Sequence, residues 1–219
     1  IETSENLLQD YLSEEIETKF RFENTLRTNG WKFNFGTGLE AVTYKNRTFQ
    51  KIIFQNLPDT LDFNSELNFI KTSVFGQISK KAFENKIIAS FGVRTDQNSY
   101  SKQMSNPLKQ LSPRFSLAYA LGEKSSLNFN IGQYFQLPAY TVMGYRNNNN
   151  ELVNKNNKIT YINNKHLVFG IETNPGNFSK LTLEGFYKKY DNYPFILEDN
   201  ISLANLGGDF GVIGNEAVS

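Results

Sequence analysis

The sequence predicts an all-β chain: an antiparallel transmembrane β-barrel, here about eight up-and-down strands forming an incomplete, open and curved part of a larger barrel. Three observations predict it. Hydropathy alternates with period two in segment after segment, as in strands whose two faces meet different surroundings. The links between those segments alternate between short and long. Aromatic residues make up 14% of the chain, with 19 Phe and 11 Tyr, yet the mean hydropathy is −0.48. A wall that shows only every second residue to hydrocarbon reconciles many rings with a polar average.

The first strand sets Ile16, Thr18, Phe20, Phe22 and Leu26 on one face and Glu17, Lys19, Arg21, Glu23, Thr25 and Arg27 on the other. Asn29-Gly30 follows, a two-residue hairpin signal because both residues accept positive φ. The returning strand sets Trp31, Phe33, Phe35 and Leu39 against Lys32, Asn34, Gly36, Gly38 and Glu40. A third strand is expected over 67–79. A fourth, over 86–95, alternates Ile87, Ala89, Phe91 and Val93 with Ser90, Gly92, Arg94 and Asp96. The fifth carries Phe115, Leu117 and Tyr119 against Arg114, Ser116 and Ala118. The sixth carries Leu127, Phe129 and Ile131 against Asn128, Asn130, Gly132 and Tyr134. The seventh sets Leu167, Phe169 and Ile171 against His166, Val168, Gly170 and Glu172. The eighth sets Leu181, Leu183 and Tyr187 against Thr182, Glu184, Phe186 and Lys188.

Short links are expected at 28–30, 80–85, 122–125 and 174–179, and long ones at 42–66, 96–113, 137–165 and 191–209. Outer-membrane barrels have short periplasmic turns and long outer loops, so the short links orient the chain. The long segments are rich in Asn, Lys, Ser and Gln, with Asn147 to Asn150 the extreme case, and are expected to be mobile. Residues 7–15 read as part of an outer loop. Trp31, Tyr119, Phe135, Tyr187 and Tyr190 lie near strand ends and suit an interfacial aromatic girdle. Period two is shared with soluble two-layer sandwiches, so alternation alone leaves that fold open.

Composition removes several functions. There is no Cys, hence no disulfide and no thiolate chemistry. A net charge of +1 gives no electrostatic reason to expect nucleic acid. No run of 18 apolar residues exists, so no transmembrane helix is expected. The chain opens on Ile1 without a basic-then-apolar leader, and both ends read as truncations or processing points. Residues 1–219 are expected to form one partial barrel domain.

Several stretches resemble the TonB-dependent outer-membrane receptors. LSPRFSLAYA at 111–120 followed by LNFNIGQYFQLP at 127–138 is similar to a strand pair of that family. FGVRTD at 91–96 resembles its "GxRxD" strand end, FGQ at 75–77 the segment before it, and FYKKYDNYP at 186–194 a later strand leaving for an outer loop. The abundance of Asn, Lys and Phe resembles receptors of the Bacteroidetes. The resemblance implies a bacterial outer-membrane location and a barrel of about 22 strands holding an internal plug. It also implies import of a scarce ligand, such as an iron chelate, cobalamin or oligosaccharide, energised by TonB. The expected partners are outer-membrane lipid, the protein's own plug domain, TonB and the imported ligand. The plug and the family's terminal strands are expected to lie outside this stretch. A passive porin or an adhesin barrel is the alternative.

Site chemistry is sparse. GTGLEA at 36–41 matches G-x-G-x-x-A, but its glycines lie within a strand and no helix follows, so dinucleotide binding is not expected. Inward glycines there leave room for something bulky, such as the plug. His166 is the only histidine, which leaves a histidine metal site or a Ser-His-Asp triad without members. Asp191, Glu198, Asp199 and Asp209 share one loop, but their spacing fits no known calcium loop. Arg94, Asp96 and Arg114 are read as an inward charge network. Tyr134, Gln136, Tyr140, Tyr145 and Arg146 are the candidate ligand contacts at the outer rim, where aromatics stand beside polar groups. No catalytic residue, metal site or cofactor is expected, and no enzyme.

Overall fold

The computed structural model describes residues 7–54, 57–147, 149–176, 178–197, 200–205 and 218; for 52–54, 57–59 and 61 it describes the backbone alone. Eight antiparallel strands form one sheet in chain order: β1 (Gln9–Thr28), β2 (Trp31–Phe54), β3 (Leu57–Ala82), β4 (Ile87–Asn98), β5 (Leu111–Ala120), β6 (Ser125–Gln136), β7 (Ile162–Gly176) and β8 (Ser179–Asp191). The sheet is an open, curved half-barrel with β1 and β8 at its edges. All eight expected strands are present. Two one-turn helices, α1 (Tyr140–Met143) and α2 (Val153–Asn156), lie between β6 and β7. A two-stranded ribbon, β9 (Phe195–Ile196) with β10 (Ile201–Ser202), follows β8.

The tight turn works as its residues predict. Asn29 and Gly30 have φ of 47° and 76°, so Thr28 faces Trp31 and each pair up the hairpin is set from there. Register then builds uniform rows. One row across all eight strands reads Leu26, Phe33, Ile78, Phe91, Phe115, Ile131, Leu167 and Tyr187. The row one residue away, on the opposite face, reads Thr25, Asn34, Gln77, Gly92, Arg114, Gly132, His166 and Lys188. The apolar row is uncovered: Leu26 is 54% exposed, Phe91 50% and Tyr187 63%. A two-layer sandwich would bury such a row against a second sheet. Here a single sheet leaves it open, as a wall facing hydrocarbon requires.

The link expected at 42–66 is instead the outer part of β2 and β3, which pair continuously from Trp31–Lys80 to Phe54–Leu57. The reason lies in the phase of the alternation. Up to the paired residues Ala41 and Ile70, apolar side chains point outward and polar ones inward. From the next pair, Val42 and Phe69, the pattern inverts. Val42, Tyr44, Leu67 and Phe69 are buried on the inner face, while Lys45, Glu66 and Asn68 are exposed and Thr43 half-buried on the outer one. The ribbon has left the apolar belt, and its outer face now meets water. Residues 9–15, expected in a loop, belong to β1, because extended β2 supplies backbone partners as far as Gln9–Gln50.

Two long segments also depart from expectation. Residues 99–110 and 137–161 are packed rather than loose. Met104, Val142, Met143, Ile159 and Tyr161 from these segments are buried with the inward residues of the outer part of β2 and β3 in one apolar cluster. Trp31, Tyr119 and Tyr187 stand exposed on the outer face, as a girdle requires. Phe135 instead packs against the buried cluster, and Tyr190 is on the inner-face parity of β8, edge-on to Tyr193 at 6.1 Å. The room at Gly36 is filled from within the wall. A Cβ there would lie 2.4 Å from the Phe22 carbonyl oxygen and 2.7 Å from the Phe75 ring.

Two outcomes follow for the full-length protein folded into lipid vesicles. Phe169→Arg, on the outward face, is expected to cost about 2–4 kcal/mol in urea titration, whereas Asn128→Arg on the inner face costs under about 1 kcal/mol. Equal costs would contradict the assignment of faces. Gly36→Val is expected to lose about 1–3 kcal/mol through overpacking, in the same titration.

Candidate functional site

The inner face divides into a polar wall and a cap folded over it. The cap is residues 99–110 and 137–161, held by a few directional bonds. Tyr100 donates its hydroxyl to the Met143 carbonyl at 2.7 Å, and Asn98 donates to the Tyr161 hydroxyl at 2.9 Å. Asn154, fully buried, donates to the Val142 carbonyl at 2.6 Å and accepts from the Val218 amide at 2.8 Å. Burial pushes the hydroxyls of Tyr100 and Tyr161 up, the latter to about 12. Both stay protonated at neutral pH and hold their bonds as uncharged groups.

Tyr140, the first residue of α1, anchors the cap to the wall. Its hydroxyl donates to Glu17 Oε1 at 2.5 Å and accepts from Lys71 Nζ at 2.9 Å. Lys71 Nζ also lies 2.8 Å from Glu17 Oε1 and 2.7 Å from Glu40 Oε2, and Lys19 pairs with Glu17. Two carboxylates and two ammonium groups thus share one patch on β1–β3 with no net charge. The Tyr140 ring stands edge-on to Phe69 at 5.5 Å and tilted against Tyr44 at 5.8 Å. Its hydroxyl meets the charges while its ring meets the apolar cluster, the division a tyrosine suits.

Beside this patch is a cavity of about 200 Å³ lined by Glu40, Lys71, Ser73, Arg94, Asp96 and Tyr161 among others. Arg94 and Asp96 form a forked pair, with Nε to Oδ2 at 2.8 Å and Nη2 to Oδ1 at 2.6 Å. Arg114, expected in the same network, instead lies over the Tyr134 ring, 4.4 Å from its centroid. The Tyr134 ring is also tilted against His166, with centroids 4.9 Å apart. The Tyr134 ring fits over Gly132, where a Cβ would come 3.0 Å from it.

The rim candidates therefore fall into separate settings. Tyr140 sits in the charged patch, and Tyr134 between Arg114 and His166. Tyr145 is edge-on to Phe63 at 5.7 Å. Arg146 donates to the Asn150 carbonyl at 2.7 Å, and Gln136 is exposed at the end of β6. Sequence reasoning missed Glu17, Glu40 and Lys71 as a group. The signal was present in part: a turn at 29–30 pairs Lys19 with Glu40 by counting alone. Asp191, one of the loop acids, is the last residue of β8 and is held by Lys165 and Lys189 at 3.0 and 3.2 Å. Glu198, Asp199 and Asp209 lie outside the described residues. Among the described residues, no group of three or more His, Asp or Glu side chains is arranged to hold a metal.

Tyr140→Phe removes one hydroxyl but leaves Glu17 and Lys71 paired, so a loss of about 1 kcal/mol is expected. Limited proteolysis of the full-length protein should show residues 137–161 cut several-fold faster. Lys71→Met strips cationic partners from both Glu17 and Glu40 and should release the cap further. Unchanged cleavage in both variants would show that the patch does not hold the cap.

Residues 3–215 match the family described as "TonB dependent receptor-like, beta-barrel". No curated protein sequence matches. Among solved structures, the copper transporter OprC superposes with a TM-score of 0.63 at 18% identity, over 86% of this chain and 32% of that one. The FpvAI–pyocin S2 complex gives 0.63 at 13% identity, over 96% and 30%. The ferric-catecholate import receptor Fiu from Escherichia coli K12 gives 0.56 at 12% identity, over 88% and 33%. At these identities the likeness is one of fold. The chain spans about a third of each of these structures. With its apolar outer rows, polar inner rows and capped inner face, the chain belongs to the TonB-dependent receptor β-barrel family, whose members are transport receptors and not enzymes.

Proposed function

We propose that this chain is part of the barrel wall of a bacterial outer-membrane importer that takes up a scarce ligand using energy delivered by TonB. The observation that carries the reading is the family match over 3–215, joined to a wall with one apolar and one polar face. Short links at 29–30, 83–86, 121–124 and 177–178 face the periplasm, and the β2–β3 ribbon with the cap faces the outside. The full-length protein adds the strands that close the barrel, a plug within it, and a contact with TonB.

The ligand belongs to the class of iron chelates, cobalamins and oligosaccharides. Tyrosines beside charged and amide groups at the outer mouth support that class, since rings and sugar or chelate faces stack while polar groups orient. Tyr134, Gln136, Tyr140, Tyr145 and Arg146 are the contacts proposed for it. Copper transport and ferric-catecholate import are the activities named for OprC and Fiu, which share the fold.

The test is uptake in cells making the full-length protein, with ⁵⁵Fe-loaded chelates, cobalamin and labelled oligosaccharides offered in turn. One of them should accumulate only with TonB present. Accumulation that persists without TonB would identify a passive porin instead. Substituting Tyr145 and Arg146 by alanine together should raise the concentration for half-maximal binding about ten-fold or more, the weight of one or two good contacts.

A further inference from the structure

We infer that the inner face of β3–β5 carries an anion site centred on Arg114, which takes the carboxylate of a ligand passing inward from the cap. The site rests on the importer reading. Below the cap lies a recess of about 200 Å³, lined by Arg21, Glu23, Gln77, Gly92, Arg94 and Arg114 among others. Arg94 also lines the cavity beneath the cap, so the recess is the next station toward the short links.

Charge selects the occupant. Three guanidinium groups line the recess, and carboxylates answer two of them. Arg21 pairs with Glu23, and Arg94 forks onto Asp96 at 2.8 and 2.6 Å. Arg114 is exposed and, among the described residues, pairs with no carboxylate. Its contact is the face of the Tyr134 ring, 4.4 Å from the centroid, which orients the guanidinium without neutralising it. The recess is therefore one negative charge short, the charge of one carboxylate, and a guanidinium fork matches the two oxygens of that group.

Register keeps the space open. Gln77, Gly92 and Arg114 are cross-strand neighbours in one inner row. A Cβ at Gly92 would already lie 3.4 Å from the Gln77 side chain, so a larger residue there would occupy the recess. The Gln77 amide flanks it from the other side, a neutral group where an acid would repel the ligand. Farther along the same row come His166 and Lys188, which among the described residues also pair with no carboxylate. The acid on the inner face of β8, Glu184, lies two inner rows nearer the short links. The row across β4–β8 thus draws an anion to the wall rather than a cation or a neutral molecule. Among the ligand classes proposed above, this singles out those with an ionised carboxylate: acidic oligosaccharides and carboxylate chelates.

The test uses the full-length receptor in mild detergent at low salt, with binding read by saturation-transfer NMR. The probes are galacturonate and its uncharged counterpart, galactose. Galacturonate should bind saturably and about ten-fold or more tighter than galactose, and added salt should weaken it. Arg114→Gln should weaken galacturonate about ten-fold, the weight of one charge-assisted contact, and leave galactose unchanged. Arg114→Lys, which keeps the charge and loses the fork, should fall between. Gly92→Leu, which fills the recess and keeps every charge, should weaken galacturonate as much as Arg114→Gln does. Lys124→Gln, the same loss of charge in a short link, should change neither sugar. Citrate that displaces galacturonate at lower concentration would name a chelate rather than an acidic sugar as the source of the carboxylate. Equal binding of the two sugars, or galacturonate binding unchanged in both Arg114→Gln and Gly92→Leu, would overturn the site. So would an Arg114→Gln receptor that binds galacturonate normally yet admits vancomycin to the cell, since Arg114 would then hold the plug. TonB-dependent uptake alongside any of these failures leaves the importer reading standing. Accumulation without TonB would remove that reading, and with it the passage this site serves, even where galacturonate binds.

Discussion

The structure depends on one constraint: a strand in hydrocarbon must pair every backbone group with a neighbour while its side chains divide between two solvents. Pairing alone would allow any register. The division of solvents does not, because a slip of one residue exchanges the two faces everywhere at once. The row from Leu26 to Tyr187 and the row from Thr25 to Lys188 are adjacent in sequence on every strand and opposite in character. A slip at any one hairpin would put Asn, Arg or Lys into lipid. The tight turn at Asn29-Gly30 therefore does more than reverse the chain, since it sets the parity that β2 hands on to β3.

The same constraint explains the inversion at Val42 and Phe69. Beyond the apolar belt the outside becomes the wet side, and the inside, once roofed by the cap, becomes the dry one. Tyr44, Leu67 and Phe69 could not be inward in the lower wall without meeting water; under Met104, Val142 and Met143 they are buried. Cap and ribbon are mutually dependent, each covering apolar surface that the other would expose. The charged patch at Glu17, Glu40, Lys71 and Lys19 lies where the polar wall meets this dry zone. There Tyr140 bridges the two environments with its two ends.

Most of the wall was legible in the sequence because its signal is local. Eight segments alternate, and the two-residue turn could be read from Asn-Gly. The outer half of the β2–β3 hairpin was not legible, although it alternates equally well. Thr43, Lys45 and Glu66 removed the outward apolar residues by which a lipid-facing strand is recognised, and the stretch read as a polar loop. That error hid the charged patch. Glu40 meets Lys71 only if β2 and β3 pair continuously from Trp31–Lys80 to Phe54–Leu57, and the sequence over 42–66 reads as a loop. The cap was missed for a different reason. Its buried residues, among them Met104, Ile159 and Tyr161, are spaced without a period among Asn and Lys. Their burial comes from bonds such as Tyr100 to Met143 that join distant parts of the chain. Tyr140 was singled out as an outer-rim residue, but its partners Glu17 and Lys71 are 123 and 69 residues away.

The anchoring of the cap has a kinetic meaning. A fringe of loose loops must be gathered in by whatever docks on it, and that ordering weakens and slows capture. Here the gathering is done during folding, by a tyrosine tethered to a neutral patch of wall and by two buried methionines. The ligand proposed for this mouth would meet a contour that already exists, and its capture would be governed by encounter and fit rather than by the rearrangement of its host.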